Sequence, residues 1–244
     1  MKTYCLEVRG DFACFTRPEM KVERVSYDVI TPSAARAVFE SIFWKPEVHW
    51  NITRIEVLNP IRWINLRRNE VGKKVSVDSI KSIMKQGSGR FGLDVEDERV
   101  QRAGLFLRDV AYRLHARLES RAGACAHGAR FARLADLPID RGEAALERPA
   151  AHPAKYMSMF ERRATRGQCV NQPYLGCREF AADFRLVTDL AGERPALDDT
   201  RDLGFMLHDL NFQGESGIEP RFFRAQMKHG VIDVPAMGAA EVIA

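Results

Sequence analysis

The chain has 244 residues, 45% of them apolar, enough for one large domain or two small ones with a real core. Its 37 Lys and Arg against 33 Asp and Glu leave a net charge of +4, which permits an anionic partner without demanding one. Five cysteines, an odd number without C-x-x-C spacing, argue against a disulfide framework and a structural zinc site, and no run approaches the ~18 apolar residues of a membrane span.

The opening MKTYCLEVRGDFACF carries charges too early for a secretory leader, so a soluble cytoplasmic protein is expected. Tyr4, Leu6 and Val8 then alternate with Cys5, Glu7 and Arg9, the pattern of a half-buried strand. TPSAARAVFESIFWKP predicts a helix. Thr31 can cap it and Pro32 suits its first position; Ala35, Val38, Phe39 and Ile42 form an apolar stripe. Pro46 stops it, leaving Phe43, Trp44 and Lys45 in its last turn.

Residues 48–68 are β-rich and are broken by Asn59-Pro60. DSIKSIMKQ predicts a short helix, followed by the flexible GSGRFG and an acidic–basic linker over 94–104. A long strand is expected over 105–119. The Ala-, Arg-, Gly- and Pro-rich stretch 121–150 reads as an insertion, 153–168 as a helix and 177–187 as a strand. The last third reads as short strands and turns.

This order suits an α+β chain. A ferredoxin-like βαββαβ unit would occupy 1–190, carrying the insertion, and a small β-rich lobe would occupy 191–244.

The chemistry concentrates in AYRLHARLES. Even positions Phe106, Val110, Tyr112, Leu114, Ala116 and Leu118 are apolar; odd positions Asp109, Arg113, His115, Arg117 and Glu119 are polar. Side chains alternate along a strand, so the polar set shares one surface. The plain alternative is a solvated outer face. Against it, an imidazole between two cations is favoured in its neutral, proton-accepting form. Two guanidiniums can hold a phosphate. Together they suit metal-independent cleavage of RNA, with His115 as base and the cations stabilising the crowded phosphorus.

Phe43, Trp44 and Lys45 could stack a base and touch a phosphate, or simply finish the helix stripe. RWINLRRNEVGKK, with Arg67 and Arg68, and ERRATRG, with Arg162 and Arg163, interleave aromatics or cations in a way that suits RNA, although charge runs often serve solubility alone. His49, His127, His152, His208 and His229 are too scattered for a metal site; LHDL at 207–210 offers a lone His-Asp pair. No metal or other cofactor is expected.

Several long stretches occur together: GDFACFTRPEMKVERVSYDVITPSAARAVFESIFWKP, VQRAGLFLRDVAYRLHAR, PYLGCREF, DLGFMLHDL and FFRAQMKHGVIDVP. In this order they resemble the CRISPR-associated Cas-five family in its subtype I-C variant, across nearly the whole chain. The resemblance implies a RAMP-type ferredoxin-like fold and a metal-independent endoribonuclease. The enzyme would cut the CRISPR precursor transcript at the repeat hairpin, leaving 2′,3′-cyclic phosphate ends. It would then stay on the 5′ handle of the guide RNA with the other subunits of the surveillance complex. A non-catalytic handle-binding scaffold and a double-stranded DNA-binding subunit are the rival readings.

The family's active site combines a tyrosine before Trp-Lys-Pro with a lysine and a histidine on the long strand. Here the tyrosine is replaced by Phe43, which has no hydroxyl, and the strand positions are His115 and Arg117, with imidazole and cation exchanged. Tyr156, on the following helix, is a potential substitute hydroxyl.

Overall fold

The computed structural model describes residues 2–20, 22–89, 92–120, 153–214 and 217–243. The insertion expected at 121–150, together with Cys125, His127 and His152, lies outside the described residues. In chain order the elements are β1 (Thr3–Ala13), α1 (Pro32–Ile42), β2 (Val48–Val57), β3 (Trp63–Val71), α2 (Val77–Gln86), β4 (Arg99–Ser120), α3 (Pro153–Thr165), β5 (Asp183–Val187), β6 (Arg201–Gly214), β7 (Gly217–Met227) and β8 (Val231–Asp233). The fold is mixed α/β and mostly strand. A six-stranded sheet runs β5-β1-β4-β2-β8, with β3 paired to the first half of β4; β6 and β7 form a separate two-stranded sheet.

β4 organises the molecule. Its 22 residues pair antiparallel with β1 on one side, and with β3 and then β2 on the other. The strand begins at Arg99, so the second half of the expected linker is strand. The alternation expected along β4 also breaks. Leu107 joins the main core, whereas Phe106 packs on the opposite face with Cys14 and Cys177. From Val110 onward the even positions face the main core. The break falls at Asp109, whose φ of 53° is a left-handed conformation that aspartate tolerates. Asn59 Nδ2 holds its carbonyl at 2.6 Å.

α1 starts as its sequence dictates. Thr31 Oγ1 accepts from Ala34 N–H at 3.3 Å, Pro32 follows, and Ala35, Val38, Phe39 and Ile42 are buried. It ends one turn earlier than expected, at Ile42, with Phe43 extended at φ −150°. Side chains from outside the helix take the freed carbonyls: Arg163 Nη1 bonds Ile42 O at 3.1 Å and Trp50 Nε1 bonds Phe43 O at 3.0 Å. No local sequence signal encodes these caps.

α1 and α3 cover one face of the sheet through an aromatic cluster. Trp50 lies 4.5 Å from Phe160 and 4.8 Å from Phe39, and Tyr4 lies 5.0 Å from Phe160, between ring centroids. In place of short strands, the last third forms the long β6–β7 hairpin. Its Met206, Phe223 and Ala225 reach the main core. The expected strand at 177–187 is strand only from Asp183, because 173–182 folds back onto β1. Gly176 there, at φ 83°, sits so close that a Cβ would run into the Cys14 carbonyl.

Candidate active site

The sheet face turned away from α1 and α3 is charged. β1 contributes Cys5, Glu7 and Arg9, β4 contributes Arg113, His115 and Arg117, and β5 contributes Arg185. β2 adds Glu56 through a bulge. In its first half Trp50 and Ile52 face the core; the register shifts between Ile52 and Arg54, after which Ile55 and Val57 face the core. That shift turns Glu56 onto the polar face. Without it, the even numbering would have placed Glu56 against the helices.

His115 lies at the centre and is 8% exposed. Its Nε2 is 2.9 Å from Glu56 Oε1, and Arg113 Nη1 is 3.2 Å from Glu56 Oε2. A carboxylate only accepts, so Nε2 is the protonated nitrogen and Nδ1 of the neutral ring keeps its lone pair. The Thr53 hydroxyl at the bulge donates to the His115 carbonyl at 3.3 Å. The hydrogen bond from His115, reinforced by the Arg113 and Arg54 charges against the opposing effect of burial, holds the Glu56 carboxyl below its usual range. Cys5 Sγ lies 3.8 Å from His115 Nε2, but burial pushes its thiol up to about 12, which removes it as a nucleophile. The spacing on β4 placed His115 between two cations; the fold adds a carboxylate that offsets them.

Arg113 is 4% exposed and is committed to Glu56 and the Arg194 carbonyl, so it braces the site instead of reaching solvent. Arg117 is exposed and makes no ion pair among the described residues. Glu7, 2% exposed, is held by Arg9 Nε at 2.6 Å and by Arg185.

The remaining sequence candidates divide by layer. Phe43 is fully buried on the helix side, its ring 6.1 Å from Tyr156 and 5.6 Å from the Arg163 guanidinium. The sheet therefore separates Phe43 and Tyr156 from His115. Trp44 and Lys45 are exposed just before β2, towards the end of the sheet that carries Arg117. Arg67 and Arg162 are exposed. Arg68 is engaged with Glu179, with Glu70 at 3.3 Å and over the Phe106 ring at 4.9 Å, and Arg163 caps α1.

Glu56 was not singled out from the sequence. Its signal was present: apolar residues at 50 and 52 and then at 55 and 57 mark the change of parity that a bulge makes. Among the described residues, no three His, Cys, Asp or Glu side chains converge to hold a metal ion, and no helix is long and apolar enough to cross a membrane.

A family model described as CRISPR-associated protein (Cas_Cas5) matches residues 3–139 and 140–235. The chain is 46% identical, over 97% of its length and 96% of the relative's, to the CRISPR pre-crRNA endoribonuclease Cas5d of Mannheimia succiniciproducens. It is 38% identical, over 95% of its length and 90% of the relative's, to the CRISPR pre-crRNA endoribonuclease Cas5d of Thermus thermophilus. Two solved structures at 20% identity share its fold, each covering 100% of this chain and 97% of theirs: a CRISPR-associated protein (TM-score 0.60) and a functionally uncharacterized protein from Streptococcus mutans (TM-score 0.62).

Proposed function

Because the chain belongs to the CRISPR-associated Cas5 family, we propose that it is a metal-independent endoribonuclease that cuts CRISPR precursor RNA at the repeat hairpin. It then stays on the 5′ handle as a cytoplasmic subunit of a type I-C surveillance complex. The observation that carries the chemistry is the Glu56–His115 pair at 2.9 Å on the charged sheet face, beside the exposed Arg117. The pre-crRNA endoribonuclease activity for which the two relatives are named supports the same reading.

In this reading Glu56 accepts the Nε2 proton and fixes the ring, and Nδ1 takes the proton of the RNA 2′-hydroxyl. The 2′ oxygen attacks phosphorus, and the bond to the 5′ oxygen breaks. The leaving oxygen takes a proton from solvent. The products are a 2′,3′-cyclic phosphate and a 5′-hydroxyl. Arg117 holds a non-bridging oxygen as its charge grows. Lys45 contacts the neighbouring backbone and Trp44 offers an exposed ring for stacking, while the exposed Arg67 on β3 and Arg162 on α3 offer further cations elsewhere on the surface.

The finer fold reading belongs to the same proposal. With β3 set aside, β1-α1-β2-β4-α3-β5 in the sheet order β5-β1-β4-β2 fits a ferredoxin-like βαββαβ unit over 1–190, with 191–244 as the C-terminal lobe.

Purified protein incubated with repeat RNA in EDTA tests the activity. One cut leaving a cyclic phosphate is expected; no product with bound RNA would replace the enzyme by a handle-binding scaffold. Phe43, enclosed and without a hydroxyl, is the observation that favours that second reading.

A further inference from the structure

The LHDL motif at 207–210 has no part in the proposed cleavage, yet it lines a cavity of about 230 Å³. The cavity lies between the start of α1, the first half of β2, β6 and the segment after β8. Trp50, Ile52, His208 and Asp209 are buried in its wall, and Ala236 and Met237 are exposed at its mouth. It is smaller than the roughly 300–1,000 Å³ of a drug-sized pocket and suits a single ring system.

Its polar groups are unevenly spent. Arg36 Nε and Nη2 engage Asp209 at 2.7 and 2.9 Å, and Arg36 Nη1 reaches Glu40 at 2.7 Å, so that cation is fully answered. His208 is 6% exposed and its Nε2 lies 2.8 Å from the Pro235 carbonyl. A carbonyl only accepts, so Nε2 carries the proton and Nδ1 of the neutral ring is an acceptor. Nδ1 is buried and has no partner among the described residues. A buried acceptor left unpaired is rare and calls for a donor. Glu119, whose Oε1 receives Asn51 Nδ2 at 3.2 Å, adds a carboxylate to the wall. With Arg36 neutralised, the interior favours a ligand rich in donors and disfavours phosphate.

Position gives the ligand its context. Asn51 is the cross-strand partner of Arg117, and directly opposed residues share one face within about 5 Å at Cβ. The wall of the cavity at Asn51 therefore lies beside the exposed guanidinium.

We propose that this cavity binds a nucleobase bearing an exocyclic amine (cytosine, adenine or guanine), which donates to His208 Nδ1 and to Glu119. It forms a base subsite beside the cleaved phosphate. The source of the base, an RNA strand, and its place beside a cleaved phosphate rest on the ribonuclease reading; the recognition chemistry stands without it.

The test uses full-length protein with ¹⁵N-histidine, titrated with cytidine, adenosine, guanosine and uridine. A parallel titration uses single-stranded repeat RNA made uncleavable by a 2′-deoxy substitution at the scissile nucleotide. The His208 Nδ1 resonance is expected to move with at least one amine-bearing nucleoside or with the RNA, and not with uridine. A response to RNA alone assigns the occupant to a strand; a response to free nucleosides assigns it to the base itself. Ala236→Trp, placed at the exposed mouth, should abolish the response, and His208→Leu should weaken binding about tenfold, the loss of one good hydrogen bond. No movement with any ligand, an equal response to uridine, or an unchanged response in Ala236→Trp overturns the site. Failure here is separable from failure of the cleavage reading. A silent Nδ1 in a protein that cleaves removes only the cavity, and nucleoside binding by a protein that does not cleave removes only the ribonuclease.

Discussion

Glu56 and His115 meet on the charged face of the sheet, Oε1 to Nε2 at 2.9 Å, because a bulge at Thr53 moves β2 by one residue against β4. The pair gives the imidazole a fixed tautomer and an oriented lone pair. Glu56→Gln keeps the size but not the charge. A fall in single-turnover rate of about 10²-fold or more is expected, the usual scale for disturbing a positioned general base. A rate unchanged within a factor of three would detach Glu56 from the chemistry.

The same pair makes stability depend on pH in one direction. The Glu56 carboxyl is held below 4.5 chiefly by its hydrogen bond with His115. A carboxylate with a lowered folded-state value stabilises fully above its unfolded-state value, and the contribution disappears as pH falls through the folded-state value. Breaking a buried pair that also neutralises Arg113 costs about 3 kcal/mol. Urea denaturation of wild type and Glu56→Gln should show that gap at pH 7 and 5.5, narrowing below pH 4.5. A gap that widens in acid contradicts the assignment.

Phe43→Tyr asks which layer holds the chemistry. The ring is enclosed between Tyr156 and Arg163 on the helix side. A hydroxyl there should cost about 1–2 kcal/mol as a buried polar group and leave the cleavage rate unchanged. A gain of tenfold or more would move the active site to the helix layer.

The exposed and the engaged arginines should separate in a salt titration of repeat-RNA binding. Arg117→Ala and Lys45→Ala should each lower the slope of log affinity against log salt by about one. Arg68→Ala and Arg163→Ala remove ion-pair, aromatic and capping contacts. These two should lower the melting temperature and leave the salt slope within half a unit.

Local patterns in the sequence carried much of this architecture. Thr31-Pro32 and the 35/38/39/42 stripe give the start and the buried face of α1, and the alternation after Val110 gives the two faces of β4. What stayed hidden was set by contacts far along the chain. α1 ends at Ile42, where Arg163, from 121 residues later, caps the Ile42 carbonyl. The β6–β7 hairpin is long because its apolar residues have a core to reach. His115 is legible as a candidate by its neighbours on the strand; for its carboxylate partner the sequence shows only the change of parity on β2, and the pairing across 59 residues comes from the fold. The sequence offers Arg113 as a guanidinium for a phosphate, whereas in the fold it is a buried brace, a difference made by Glu56 and the Arg194 carbonyl.

Single-turnover cleavage of the cognate repeat hairpin in EDTA, by wild type and His115→Ala, tests the central claim most directly. The account predicts one cut with a cyclic-phosphate end for the wild type and at least a 10³-fold slower reaction for the variant, within the range of lost general-base catalysis. Equal rates for the two proteins, with RNA bound equally well, would contradict it.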